Sequence, residues 1–157
     1  MAKAAPVPIH ADMTFGEAAR GTVAVRAQEL WDHSDGVLDT GDIERVHDMR
    51  VATRRLRAVL EIFAPCFPAK AHRGVLRDVK RLAHSLGERR DPDVQLEALA
   101  EYARRAAAAD QRGIESLVEH FRELQAAGNV ELAGALEKIE RRELRARLSA
   151  LVEETLI

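Results

Sequence analysis

Aromatic residues make up only 4% of this 157-residue chain, with one Trp, one Tyr and four Phe. Strands draw on aromatic and β-branched side chains to fill a pleated surface, so their scarcity argues against a sheet. There is a single cysteine, Cys66, which excludes an internal disulfide. Its neighbours Phe63, Ala64 and Phe67 suggest a packed thiol rather than a nucleophile. No stretch approaches the roughly 20 apolar residues of a membrane span. Residues 1–11 hold one Lys and two prolines but no long apolar run, unlike a secretory leader. A soluble, cytoplasmic protein with no membrane part is therefore expected.

Net charge is also nearly absent, at -2. That average hides a strong asymmetry along the chain. Residues 1–44 carry 3 Lys/Arg against 8 Asp/Glu, residues 45–90 carry 12 against 4, and residues 91–157 carry 9 against 14. One basic segment thus lies between two acidic ones, a distribution that points to an anionic partner for the middle of the chain.

What is abundant is Ala, Leu, Glu and Arg, within 46% apolar and 32% charged residues. This is a helix-forming composition, and the length suits one domain with one core. Residues 1–12, with Pro6 and Pro8, read as a flexible tail ahead of a single helical domain over 13–157. Thr14 and Glu17 fit a capping box that opens a first helix running to Trp31–Ser34. Residues 34–42, with Gly36 and Gly41, read as a loop. A second helix spans about 43–64 and stops at Pro65 and Pro68. A third spans about 69–88 and ends near Gly87. Asp91-Pro92 supplies an N-cap acceptor and a proline at the first helical position, so a fourth helix is placed from there to about Ala109. A fifth covers about 111–126, ended by Ala127-Gly128-Asn129, and a sixth about 130–155. The fold expected is an all-α antiparallel bundle of about five or six helices.

The second and third helices divide sharply around their circumference. With about 100° per residue and His47 at 0°, Arg50, Arg54, Arg57 and Glu61 fall within about 80° on one side and Arg55 about 80° on the other. Val46, Met49, Ala52, Leu56, Val59, Leu60 and Phe63 occupy the opposite arc. On the third helix Lys70, Arg73, Arg77, Lys80, Arg81 and His84 share one face, while Val75, Leu76, Val79, Leu82, Ala83 and Leu86 take the other. Like charges three or four residues apart repel by a few tenths of a kcal/mol per pair, roughly. A helix arranged only for its own stability would intersperse Glu, as Glu137-Lys138-Ile139-Glu140-Arg141 does. The one-signed faces imply that a ligand supplies the missing negative charge. Arginine suits phosphate, because its planar fork binds two oxygens and it stays charged. The short turn at Pro65–Phe67 makes the two helices neighbours, so their faces can merge into one groove. His10, His33 and His120 read as ordinary surface or core residues, whereas His47 stands in line with three arginines.

The run Val46-His47-Asp48-Met49-Arg50-Val51-Ala52-Thr53-Arg54-Arg55-Leu56-Arg57 closely resembles the signature of CHAD domains, the conserved histidine α-helical domains. A second match, Leu82-Ala83-His84-Ser85-Leu86-Gly87-Glu88-Arg89-Arg90-Asp91-Pro92-Asp93-Val94, is similar to the family's Leu-Gly-x-x-Arg-Asp-x-Asp-Val segment. Together they cover about residues 15–105. The resemblance implies an all-helical fold that binds inorganic polyphosphate, with His47, Arg50, Arg54, Arg55 and Arg57 as contacts, and it allows association with polyphosphate granules. Lys70, Arg73, Arg77, Lys80, Arg81 and His84 match the family's basic face less letter by letter. Members usually contain two such bundles facing one channel. No second His-x-x-Arg-x-x-x-Arg-Arg run occurs here, and residues 110–157 read as a connector, so the chain resembles a half-length member. A homodimer would then complete the groove.

Three other functions compete with polyphosphate binding. Nucleic acid suits the charge but not the absence of aromatics interleaved with the cations. Phosphoanhydride hydrolysis wants clustered metal-binding carboxylates near the groove, and the spacing of Asp48, Glu61 and Asp78 supplies none. A purely structural helical adaptor leaves the basic faces unexplained, and an adaptor or accessory to a phosphate-metabolising enzyme stands as an alternative. The expectation is a non-catalytic binder without cofactor or metal.

Overall fold

The computed structural model describes residues 3–157; the first two residues of the expected tail lie outside the described residues. Every regular element among them is helical: α1 (Phe15–Asp32), α2 (Glu44–Ile62), α3 (Ala69–Ala103), α4 (Gln111–Arg141) and α5 (Leu144–Glu153). Short 3-10 turns at Ala64–Cys66 and Ala108–Asp110 precede α3 and α4. The all-α bundle anticipated from composition is therefore present, with five helices.

Local signals explain several boundaries. The Thr14 hydroxyl accepts from the Glu17 N–H at 3.1 Å and the Glu17 carboxylate accepts from the Thr14 N–H at 2.8 Å, the reciprocal pair of a capping box. Between α1 and α2, Gly36 takes the left-handed φ of 67° that a turn there requires. Helix α2 stops at Ile62, just ahead of Pro65.

Two expected breaks are absent. Neither Gly87 nor Asp91-Pro92 ends a helix, because α3 runs through both for 35 residues with Pro92 in its interior. Asp91 is exposed and caps nothing. Proline here deprives the Glu88 carbonyl of its usual partner, and tertiary packing outweighs that loss: Arg89, a turn before it, and Asp93, directly after it, are fully buried and bonded to α4. Likewise Gly128-Asn129 lies inside α4, a helix of 31 residues. The glycine serves close approach rather than termination, since a Cβ at Gly128 would sit 3.1 Å from Arg89 Cα and 3.4 Å from Glu88 O. Asn129 is spent sideways, accepting from Arg89 Nε at 3.0 Å and donating to Leu38 O at 2.9 Å. The real break in the C-terminal region is at Glu143, a non-glycine residue with φ 52° and ψ 42°. It splits the expected sixth helix into the end of α4 and α5.

One apolar core draws on all five helices. It joins Val23 and Leu30 of α1, Met49, Leu56 and Leu60 of α2, Val79, Leu82 and Leu86 of α3, Leu132 and Ile139 of α4, and Leu144, Leu148 and Leu151 of α5. The part of residues 110–157 from Leu132 onward thus packs into the core of the bundle. The core takes nothing from the chain between Leu86 and Leu132. There α3 and α4 form a hairpin that reaches beyond the shorter α1 and α2, since at ~1.5 Å per residue α3 is about 52 Å long. The tail among the described residues carries no helix and has a tether, the Ala5 N–H bonded to Glu29 Oε1 at 2.6 Å. Among the described residues no helix is long and apolar enough to cross a membrane.

Candidate polyanion-binding surface

Helix α2 is positioned by its apolar stripe. Val46, Met49, Ala52, Leu56 and Leu60 are wholly buried, which turns the opposite side outward. Arg54 and Arg57 are exposed, and His47 and Arg50 are half-buried at the flank of the stripe. Arg55 goes elsewhere. It is half-buried and faces α1, with Nη1 3.9 Å from Glu29 Oε1. Glu29 is itself buried and receives Arg26 Nη1 at 2.7 Å. Burial pushes its carboxyl up, but the Ala5 N–H, the Arg26 hydrogen bond and the charges of Arg26 and Arg55 together hold it below the usual glutamate value.

On α3 the buried residues Val75, Val79, Leu82 and Leu86 set the helix rotation. Arg73, Leu76, Arg77, Lys80, Arg81 and His84 then line one open hollow. Five of the six cationic residues expected on this face are thus gathered. Lys70 is not among them; it lines a separate hollow with Gly74, Arg147 and Glu154.

A salt bridge joins the basic faces of the two helices, Lys80 Nζ to Glu61 Oε1 at 2.8 Å. The hydrogen bond from Lys80, opposed by desolvation and helped by the charges of Lys80 and Arg57, lowers the Glu61 carboxyl from its ordinary value. His72 Nε2 lies 2.7 Å from Leu60 O, and its ring stacks on Phe67, so this buried histidine ties α3 to the end of α2. His84 reaches Glu88 at 3.4 Å.

Asp78 does not flank the basic face as its helical position suggests. It is buried on the side facing the α4–α5 turn, where Oδ2 contacts Arg147 Nη1 at 2.7 Å and Arg142 Nε at 3.3 Å, and Oδ1 lies 3.8 Å from Arg81 Nη1. In the sequence Arg142 and Arg147 stand close to Glu140 and Glu143, a mixture of signs that singles out neither arginine. The break at Glu143 is what turns both toward α3, and a non-glycine residue gives no sign of it.

Glu44, His47 and Asp48 place one possible metal-ligand atom each within 4.8 Å of one another on the first turns of α2. This is the spacing of ordinary neighbours at i, i+3 and i+4, and the set is open to solvent.

A protein-family model described as CHAD domain matches residues 22–156. That span takes in α4 and α5 as well as the two motifs. Neither a curated protein nor a solved structure gave a match.

Proposed function

The chain belongs to the CHAD domain family, and on that premise we propose that it binds inorganic polyphosphate along the exposed cations of α2 and α3 without catalysing a reaction. The observation that carries this reading is the α3 hollow, where Arg73, Arg77, Lys80, Arg81 and His84 converge, joined through Lys80 and Glu61 to the side of α2 that bears Arg57. Guanidinium groups in such a row match a chain of repeating phosphoryl oxygens. Aromatic stacking surfaces, which single-stranded nucleic acid would use, are not part of the hollow. The proposal extends to a homodimer, in which a second copy supplies the facing wall of the groove.

The deciding experiment is titration with long-chain polyphosphate over a range of salt, with RNA as competitor. Affinity should fall steeply as salt rises, because bound cations release counterions. Replacing Arg50, Arg54 and Arg57 together by Ala should remove most of the affinity and leave helical content unchanged. Unaltered binding by that triple variant would defeat the assignment to α2. Light scattering that gives a monomer both with and without polyphosphate would defeat the dimer.

A further inference from the structure

The α4–α5 turn brings two more arginines to α3, on the side away from α2. Building on the polyphosphate reading, we infer that Arg142 and Arg147, gathered with Arg81 around Asp78, form a second phosphate-binding subsite continuous with the α3 hollow.

The argument starts from charge balance. Asp78 is 2% exposed and faces three guanidinium groups at 2.7, 3.3 and 3.8 Å. Lys70 and Glu154 line the adjoining hollow with Arg147, leaving four cations against two carboxylates. A clamp that only holds α5 to α3 needs one arginine on the buried carboxylate. Here Arg142 and Arg147 share the same oxygen, Oδ2, and each repels the other. A phosphoryl group with its several oxygens would relieve that repulsion, while Asp78 keeps the heads oriented from beneath.

Donor capacity leads to the same conclusion. Each guanidinium has five N–H donors, whereas Asp78 offers two oxygens. Besides Asp78, Arg147 donates to the Arg142 carbonyl at 3.4 Å among the described residues. Arg142 and Arg147 are each about one-third exposed, at 34% and 33% of the side chain, so their heads are held firmly yet reachable. Gly74 leaves room for the approach, since a Cβ there would lie 3.0 Å from Arg147 Nη2 and the guanidinium would have to shift. Arg81 belongs to both places: it lines the α3 hollow and touches Asp78. A chain of phosphates running along the hollow therefore meets Arg142 and Arg147 by passing Arg81. The ligand class is the phosphoryl oxygens of an extended polyanion, not a single small anion.

The test is a titration of the full chain with long-chain polyphosphate at several salt concentrations, comparing wild type with Arg142→Gln, Arg147→Gln and the double variant. The double variant should bind on the order of tenfold more weakly, and the slope of log affinity against log salt should flatten by about one to two. Asp78→Asn gives a second readout. Without the carboxylate the arginines repel one another, so the melting temperature should drop in buffer, and saturating polyphosphate should restore more of it than it adds to wild type. A folded double variant with wild-type affinity and slope overturns the inference, as does an Asp78→Asn chain that polyphosphate stabilises no more than wild type. Should the double variant fail to fold, Arg142→Gln alone decides by the same slope, since Arg147 keeps Asp78 paired. A wild-type chain that does not bind polyphosphate sinks the polyphosphate reading itself, and this inference falls with it.

Discussion

Arginines lie on both halves of α3, and the two halves use them in opposite ways. From Arg73 to His84 the cations are exposed around one hollow, and the acid that meets them from α2 is Glu61. Little more than a turn beyond His84, Arg89 is fully buried: Nη1 donates to Asp93 Oδ1 at 2.6 Å and Nε to Asn129 at 3.0 Å, while Nη2 has no hydrogen-bond partner among the described residues. Gln125 closes the group by donating to Asp93 at 2.7 Å, and Arg90 pairs with Glu97 at 3.4 Å. The difference follows from what each half packs against. The first half presents an apolar stripe to the core and can leave its charges in water. The distal half, paired with α4 alone, buries charge, and a buried charge must be matched. Cationic residues on one helix therefore divide into those left at the surface and those consumed by the fold, and burial tells them apart.

The sharpest way to break this contrast is to remove a partner in the buried half. Asp93→Ala would leave Arg89 enclosed without its counter-charge, and destabilisation of about 3–5 kcal/mol is expected. A denaturant melt measures it, and a loss below about 1 kcal/mol would mean that the pair is far less important than its burial suggests. A smaller effect is expected from Gly128→Ala. The new methyl would press on the α3 backbone at Arg89 Cα and Glu88 O, which cannot swing aside like a side chain end. Overpacking of this kind costs about 1–3 kcal/mol. The same substitution at Gly134 meets nothing within 4 Å and should be neutral or slightly stabilising, so the pair of melts separates packing from helix propensity.

Much of this contrast was visible in the residues, and the rest was hidden for identifiable reasons. The apolar stripes of α2 and α3 buried as read, from Val46 and Met49 to Leu82 and Leu86. The Thr14–Glu17 box formed, and the stop before Pro65 held. Periodicity and capping are local properties, so a sequence carries them openly. Asp91-Pro92 and Gly128-Asn129 also look like local punctuation, but each contributes to the α3–α4 contact, which joins residues about forty positions apart. No window along the chain reveals that contact. The same reason hid the subsite at Asp78, whose arginines come from beyond the unmarked turn at Glu143. Arg55 was read with the basic face, and it sits near its edge by angle; the acid that draws it to α1, Glu29, lies on a different helix.

The gentlest test addresses the exposed half through Glu61. Its carboxyl is lowered below the ordinary 4.5 by Lys80, whose hydrogen bond outweighs the cost of desolvation. Because the folded value is depressed, the stability it lends is present above the ordinary value and is lost as pH falls through the lowered one. The pair is exposed, so that loss should be slight. Its larger consequence concerns charge at the surface: Glu61 is the acid of α2 that occupies a cation of the α3 hollow. Glu61→Gln should leave the melting temperature nearly unchanged and raise polyphosphate affinity about two- to threefold at ~0.1 M salt, an effect that fades as salt is added. A fall in affinity would instead mean that Glu61 holds Lys80 in its binding position. The exposed half would then resemble the buried half, with its cations set in place by protein carboxylates before any phosphate arrives.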